Sequence, residues 1–143
     1  MEAREDLSIL IVDDDPLMTD MLPRRLKRAL HARVLTASTP EEGLRVAVSE
    51  RPAVVLSDFN LRAAMDGIDL LAEVERRAPG SLRILFSGHA PHEIGQRLQA
   101  APLHGFLEKP LRLDEMIGPL AAIIERETGI DLRRQASPGG GAS

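Results

Sequence analysis

Five polar residues spread along the chain combine the side-chain types that phosphoryl transfer requires. They are Asp13, Asp14, Asp58, Ser87 and Lys109. Clustered carboxylates form a hard-oxygen site for Mg²⁺, which needs only one or two protein carboxylates together with a phosphoryl oxygen. A carboxylate can also attack phosphorus to form an acyl phosphate, while a metal and a lysine neutralise the charge on the transferring oxygens. The set therefore predicts phosphoryl chemistry if the fold brings its members together.

Five short apolar runs, each followed by a helical pattern, are the elements that would position these residues. Three of the runs are continuously apolar, which is typical of strands buried on both faces. Strict alternation of strands and helices predicts a parallel sheet covered by helices, because each parallel crossover needs a helix. We expect a single α/β domain of (βα)5 type, a doubly wound five-stranded parallel sheet in the flavodoxin-like order 2-1-3-4-5. The strands are expected at residues 9–12, 34–37, 54–56, 84–86 and 105–107.

Polar residues follow four of these five runs. Strand one ends in the aspartates 13–15, strand three in Ser57 and Asp58, and strand four in Ser87, while strand five runs into Glu108 and Lys109. In an open parallel sheet, ligands bind outside the carboxyl ends of the strands. Strand two, at the sheet edge, ends only in Ala37 and Ser38. The sequence therefore predicts one polar site at the carboxyl ends of the central strands.

The first helix is expected to begin at a capping residue. Asp15 is placed as its N-cap with Pro16 at its first position, and Pro23 should bend it. Its apolar, core-facing side is predicted from Leu17, Met18, Met21, Leu22 and Leu26.

The last two helices contain residues that disfavour a helix interior. The fourth is expected between Pro91 and Ala101, and Gly95 interrupts it. The fifth is expected at about 113–127 and contains Pro119, which should delay its start or kink its second turn.

Length and local composition predict one folded domain with two tails. The 143 residues have the size of one ordinary domain. We expect an N-terminal tail at 1–6 and a domain at 7–128. The segment 129–143 ends in Ala-Ser-Pro-Gly-Gly-Gly-Ala-Ser and is expected to be a flexible C-terminal tail or a truncated linker.

Composition argues against several classes of function. The chain has 18 basic and 22 acidic residues, a formal charge of -4, and three phenylalanines as its only aromatic residues, so direct nucleic-acid binding is not expected. Without cysteine, a disulfide framework and a thiolate metal site are excluded, and a reducing cytoplasmic location is expected. No apolar run approaches the roughly 18 residues of a spanning helix, so no membrane role is expected.

Four stretches of the chain, taken in order and at their spacing, resemble the response-regulator receiver domains of two-component signalling, typified by the bacterial chemotaxis response regulator. The stretches are ILIVDDDP at 9–16, VVLSD at 54–58, ILFSGHA at 84–90 and GFLEKP at 105–110. The resemblance covers about residues 7–127.

The resemblance implies a metal site and a phosphoacceptor. Asp58 would accept the phosphoryl group, and Asp14 would bind Mg²⁺ directly while Asp13 does so through water. The backbone carbonyl of Asn60 would complete the protein ligands of the metal.

The resemblance also implies a switch. Ser87 matches the hydroxyl residue that binds the phosphoryl group and moves on activation, and Lys109 matches the lysine that pairs with that group. Phe106 stands at the position of the rotating aromatic switch, although it has no hydroxyl. Asn60 and His89 match positions that tune the lifetime of the phosphoryl group.

By the same resemblance, the phosphoryl group would come from a phosphohistidine on a sensor histidine kinase or a histidine phosphotransfer protein. Phosphorylation would remodel a surface formed by helix four, strand five and helix five, which would bind a downstream protein. The chain would not act as an enzyme on other molecules; it would catalyse only its own phosphorylation and slow dephosphorylation.

Two alternatives remain open from the sequence. One is a pseudo-receiver, an interaction module that keeps the fold without being phosphorylated. The other is a haloacid-dehalogenase-like phosphatase with Asp13 as nucleophile and Asp15 as acid/base. Against the phosphatase, Leu17 stands where that family needs Thr or Val, and Asp58 would have no role.

Overall fold

A computed structural model describes residues 4–88, 90–109 and 112–132. They form an all-parallel five-stranded sheet in the order β2-β1-β3-β4-β5, which confirms the predicted fold class. The strands are β1 (Arg4–Val12), β2 (Ala32–Ala37), β3 (Val54–Asp58), β4 (Leu82–Ser87) and β5 (Gly105–Glu108).

Helices cover both faces of the sheet. They are α1 (Leu22–Leu30), α2 (Pro40–Glu50), α3 (Gly67–Arg77), α4 (Pro91–Ile94), α5 (Gln96–Ala100) and α6 (Asp114–Thr128). As the sequence predicted, the helix between β4 and β5 is interrupted at Gly95, and Pro119 lies in the second turn of α6. Among the described residues, none of these helices has the length and apolar character to cross a membrane.

Two apolar layers explain why the central strands are continuously apolar. Ile9 and Ile11 of β1 belong to one buried cluster, together with residues of α1 and α6. Leu10 and Val12 belong to a second cluster, with residues of α2 and α3. Successive side chains of a strand point to opposite faces, so a strand between two helical layers needs apolar residues at every position.

The start of the first helix differs from the prediction. The carboxylate of Asp15 accepts a hydrogen bond from the backbone N–H of Leu17, as an initiating cap should. The residues Leu17–Met21 then form a π-helical turn before α1, just ahead of Pro23, which has no N–H to donate. A π turn holds more residues than an α turn, so Leu17 and Met21 rotate away from the core. They are 52% and 38% exposed, and the prediction that both face the core is wrong.

Ordered structure extends beyond residues 7–128 at both ends. Strand β1 begins at Arg4, whose backbone pairs with Ala32, so part of the segment 1–6 belongs to the sheet. At the other end, Gly129 adopts a left-handed conformation with φ 80° and ends α6. The chain then turns back so that Leu132 is fully buried in the core. The rest of the predicted C-terminal tail, 133–143, lies outside the described residues.

Candidate functional site

The register of the strands brings the predicted polar residues to one end of the sheet. Ser57 of β3 pairs with Val12 of β1. Asp58 is the next residue of β3 after this pair, and Asp13 directly follows β1. Ser87 of β4 pairs with Glu108 of β5, which places Lys109 one residue further on. Asp13, Asp58, Ser87 and Lys109, which the sequence places at strand ends, all line one cavity. The cavity lining is Asp13, Asp14, Asp15, Pro16, Asp58, Asn60, Arg62, Ser87, Gly88 and Lys109.

Asp13 is the most deeply buried carboxylate of this cluster, with no solvent-accessible surface. Its Oδ1 accepts a hydrogen bond from the backbone N–H of Asp15 at 2.9 Å. Its Oδ2 lies 3.3 Å from Nζ of Lys109 but accepts no hydrogen bond from the residues that the structure describes. Burial raises the pKa of Asp13 to about 6; the hydrogen bond from Asp15 and the charge of Lys109 oppose this shift.

Asp58, at the end of β3, is 5% exposed and faces the same lysine. Its Oδ2 lies 3.2 Å from Nζ of Lys109, and the backbone N–H of Asn60 also donates to its carboxylate. Burial raises the pKa of Asp58 above its ordinary value, although Lys109 favours the charged form. One ammonium is thus shared between two buried carboxylates, which leaves the pair of acids incompletely neutralised.

Lys109 is held in place by several contacts. Its backbone N–H donates to the carbonyl of Ser87 at 2.7 Å, and its Nζ lies 5.2 Å from the centre of the Phe86 ring, within the range of a cation–π contact. Burial alone would lower the pKa of Lys109, but the charges of Asp58 and Asp13 outweigh it and raise that pKa above its usual value. The lysine is therefore a fixed positive charge at neutral pH.

The aspartates form a donor set that fits a hard divalent cation. Asp13, Asp14 and Asp58 each offer one carboxylate oxygen, and these oxygens lie within 4.8 Å of one another. The Asp14 side chain is 32% exposed and open to the cavity. Among the described residues, the buried Oδ2 of Asp13 has the ion pair with Lys109 but no hydrogen bond, so it can accept a further partner such as a metal ion. The residues present therefore fit an oxygen-ligated ion such as Mg²⁺.

Asn60 lies at the rim of the cavity and shapes the loop after β3. Its Oδ1 accepts a hydrogen bond from the backbone N–H of Arg62 at 3.2 Å. Arg62 adopts a left-handed conformation with φ 54°, and its Nε lies 3.5 Å from Oδ2 of Asp14. Sequence reasoning missed Arg62 as a cavity residue. The usable signal was Asn60 two residues earlier, because an asparagine side chain commonly bonds the backbone two residues on.

The two predicted switch residues lie on neighbouring strands. Ser87 is 1% exposed at the end of β4 and lines the cavity. Phe106, paired with Leu85 in the sheet, is half-buried and packs against the cluster on the α2–α3 side. It is not among the residues that line the cavity, so its predicted role rests on the family resemblance alone. His89 lies outside the described residues.

The family comparison and the similar proteins both point to response regulators. Residues 9–121 match the family described as the response regulator receiver domain. Transcriptional regulatory protein GlrR of Escherichia coli (strain K12) is 32% identical over 120 residues, which cover 82% of this chain and 26% of that protein. The chain therefore spans about a quarter of the length of that relative.

A shorter relative and a solved structure match over nearly their whole lengths. Probable chemotaxis protein CheY of Rhizobium etli is 26% identical over 126 residues, 86% of this chain and 96% of that protein. The crystal structure of a CheY-like response regulator receiver domain protein from Methanospirillum hungatei JF-1 superposes with a TM-score of 0.72 at 26% identity. It covers 87% of this chain and 98% of that one.

Proposed function

Because this chain belongs to the response regulator receiver domain family, we propose that it accepts a phosphoryl group from a phosphohistidine onto Asp58 in a Mg²⁺-dependent reaction. The observation that carries the proposal is Nζ of Lys109, which lies 3.2 Å from Asp58 and 3.3 Å from Asp13 inside a cavity with three convergent carboxylates. The proposed donor is a sensor histidine kinase or a histidine phosphotransfer protein.

In the proposed reaction, a carboxylate oxygen of Asp58 attacks the phosphorus of the phosphohistidine. The O–P bond forms as the P–N bond breaks, and the electron pair of the broken bond goes to the imidazole nitrogen of the donor. Lys109 would neutralise the charge on the transferring oxygens, and the hydroxyl of Ser87 would donate a hydrogen bond to them. Mg²⁺, held by Asp13, Asp14 and Asp58 with the carbonyl of Asn60, would supply the remaining positive charge.

The acyl phosphate would end by hydrolysis, in which water attacks phosphorus, inorganic phosphate leaves and the carboxylate of Asp58 is restored. The chain would therefore catalyse only its own modification and its slow reversal, and we propose that it is not an enzyme for a separate substrate. The added charge, about -1.5 to -2 at neutral pH, would attract Ser87 and displace Phe106. The surface formed by α4, α5, β5 and α6 would then bind a downstream protein.

Intact mass after incubation with acetyl phosphate, with and without Mg²⁺, tests the proposal. We expect a Mg²⁺-dependent gain of one phosphoryl group in the natural chain, its loss in Asp58→Asn and its retention in Asp20→Asn, an exposed aspartate outside the cavity. If Asp58→Asn still gains one phosphoryl group, Asp13 would be the phosphoacceptor, as in the phosphatase alternative. No gain from either acetyl phosphate or a phosphorylated histidine phosphotransfer protein would favour the pseudo-receiver.

A further inference from the structure

The side chain of Arg97, on α5, reaches the beginning of α3 across a separation of about thirty residues. Its Nη1 lies 2.5 Å from Oδ2 of Asp66, and its Nη2 lies 3.1 Å from Oδ1 of the same residue. The same Nη2 lies 3.1 Å from Oδ1 of Asp69. A guanidinium that bonds both oxygens of one carboxylate is directionally fixed, unlike a single-contact ion pair.

The two carboxylates held by Arg97 are themselves ordered. Asp66 is the N-cap of α3 and accepts a hydrogen bond from the N–H of Asp69, while the Asp69 carboxylate accepts one from the N–H of Asp66. The Asp66 side chain is only 23% exposed, so solvent screens its charge less than that of a fully exposed group. Arg97 therefore binds a rigid helix start.

That helix start is packed directly against the backbone of Asp58. The N–H of Gly67 donates to the carbonyl of Phe59 at 2.8 Å, and the N–H of Phe59 donates to the carbonyl of Phe86 at 2.9 Å. A Cβ atom on Gly67 would lie 2.1 Å from the carbonyl oxygen of Asp58. With so little space between them, the start of α3 cannot shift toward β3 without displacing the backbone of Asp58.

The two short helices α4 and α5, the second of which carries Arg97, are weakly packed. Among the residues of α4 and α5, all of which the structure describes, none is buried. Ile94 and Leu98 are half-buried against the cluster on the α2–α3 side. Gly95 separates the two short helices at φ 75°. The ion pair of Arg97 therefore adds to the packing of Ile94 and Leu98 in holding this segment to the domain.

We propose that Arg97 is a positioning residue that couples the broken helix α4–α5 to the loop that follows Asp58. Movement of α5 then changes the environment of the phosphoacceptor, and a change at the phosphoacceptor loop changes the stability of α5, because a coupling free energy acts in both directions. The structural coupling stands on the contacts above, whereas its regulatory meaning rests on the proposed function.

Hydrogen exchange on the unphosphorylated chain tests the coupling without any phosphoryl donor. In Arg97→Gln, we expect amide exchange to accelerate about threefold or more, both at 96–100 and at 61–70, since a partly exposed ion pair supports a change of that size. Arg97→Lys keeps the charge but loses the two-pronged geometry, so intermediate rates are expected. Arg76→Gln is the matched control, because Arg76 pairs with Glu73 on the exposed face of α3.

Unchanged exchange at 61–70 in Arg97→Gln would overturn the inference, whether or not exchange at 96–100 accelerates. A second measurement follows the rate of phosphoryl gain from acetyl phosphate, which we expect to fall about twofold or more in Arg97→Gln and to be partly restored in Arg97→Lys. An unchanged rate at unchanged stability would restrict Arg97 to a structural role and overturn the positioning claim. If the natural chain gains no phosphoryl group, the proposed function fails, but the exchange experiment still decides the coupling.

Discussion

The carboxylate of Asp13 and the ammonium of Lys109 are 3.3 Å apart, and the aspartate is completely inaccessible to solvent. The same ammonium also faces Asp58, so one positive charge serves two buried negative charges. A buried charge that is incompletely paired costs stability. The domain therefore carries an electrostatic cost at the site where it would bind a divalent cation.

This cost gives the first prediction, a dependence of stability on pH. The pKa of Asp13 is about 6 in the folded chain against an ordinary 3.8, so the folded state holds a proton that the unfolded state has released between these values. The free energy of unfolding, relative to Asp13→Asn, should therefore be highest below pH 4 and should fall as pH rises through 6. The fall is at most about 3 kcal/mol, from 1.36 kcal/mol per pKa unit.

Urea unfolding in EDTA between pH 3.5 and 7.5 measures the difference between the natural chain and Asp13→Asn. Asp20→Asn serves as the exposed control, with no comparable change expected. If the difference in free energy of unfolding between the two chains rises with pH, the pKa of Asp13 is not raised by burial and the prediction is wrong. Saturating Mg²⁺ should flatten the curve, because a bound cation compensates the ionised carboxylate.

The second prediction compares Asp14, a proposed metal ligand, with its neighbour Asp15. Asp14→Asn should weaken Mg²⁺ binding by roughly tenfold or more, because it removes one of three convergent carboxylate oxygens. Asp15→Asn should change it much less, because Asp15 caps the first helical turn and Asn is also a good cap. Isothermal titration calorimetry with MgCl₂ measures both affinities. Equal losses in the two variants would indicate a general charge effect instead of ligation.

The third prediction concerns Gly67. In Gly67→Ala, the new methyl group would be 2.1 Å from a backbone carbonyl oxygen that cannot rotate away, so the free energy of unfolding should fall by roughly 1–3 kcal/mol. Gly80→Ala is the control, because Gly80 is exposed and a Cβ there would meet no atom within 4 Å beyond its chain neighbours. This second variant should change the free energy of unfolding by less than about 0.5 kcal/mol. Thermal unfolding of both variants would show whether only Gly67→Ala is destabilised.

The fourth prediction compares two leucines on opposite sides of a predicted boundary. Leu132 is fully buried although the sequence assigns it to the tail, so Leu132→Ala should cost about 2–4 kcal/mol. Leu17 was assigned to the core but is 52% exposed, so Leu17→Ala should cost less than about 0.5 kcal/mol. Denaturant unfolding of the two variants gives both values. A larger loss of stability in Leu17→Ala than in Leu132→Ala would instead support the sequence-based prediction that Leu17 lies in the core and Leu132 in the tail.

The order of the sheet and the clustering of the central site residues could both be predicted from the sequence. Continuous apolar runs identified the central strands, and the carboxyl ends of parallel strands meet at one edge, so Asp13, Asp58, Ser87 and Lys109 could be brought together without coordinates. Gly95 likewise predicted the break between α4 and α5, because its effect on a helix is local.

The sequence was insufficient wherever the outcome depends on contacts between distant segments. The pairing of Arg97 with Asp66 joins two exposed charged residues on different helices, and no periodicity marks such a pair. The burial of Leu132 depends on how the chain turns after Gly129, which local propensity does not specify. The π-helical turn at Leu17–Met21 changes which side chains face inward, and a pattern based on 3.6 residues per turn cannot anticipate it.

In α4 and α5, whose residues the structure describes in full, no side chain is buried, and this affects how the domain can diverge in evolution. Substitutions at exposed positions usually change the free energy of unfolding by less than about 0.5 kcal/mol, so this segment can vary without loss of the fold. Gene duplicates of such a domain can therefore acquire new surfaces between residues 91 and 100 while the cavity around Asp58 stays constant. Within that segment, substitution of Arg97 would remove its contacts with Asp66 and Asp69 at the start of α3.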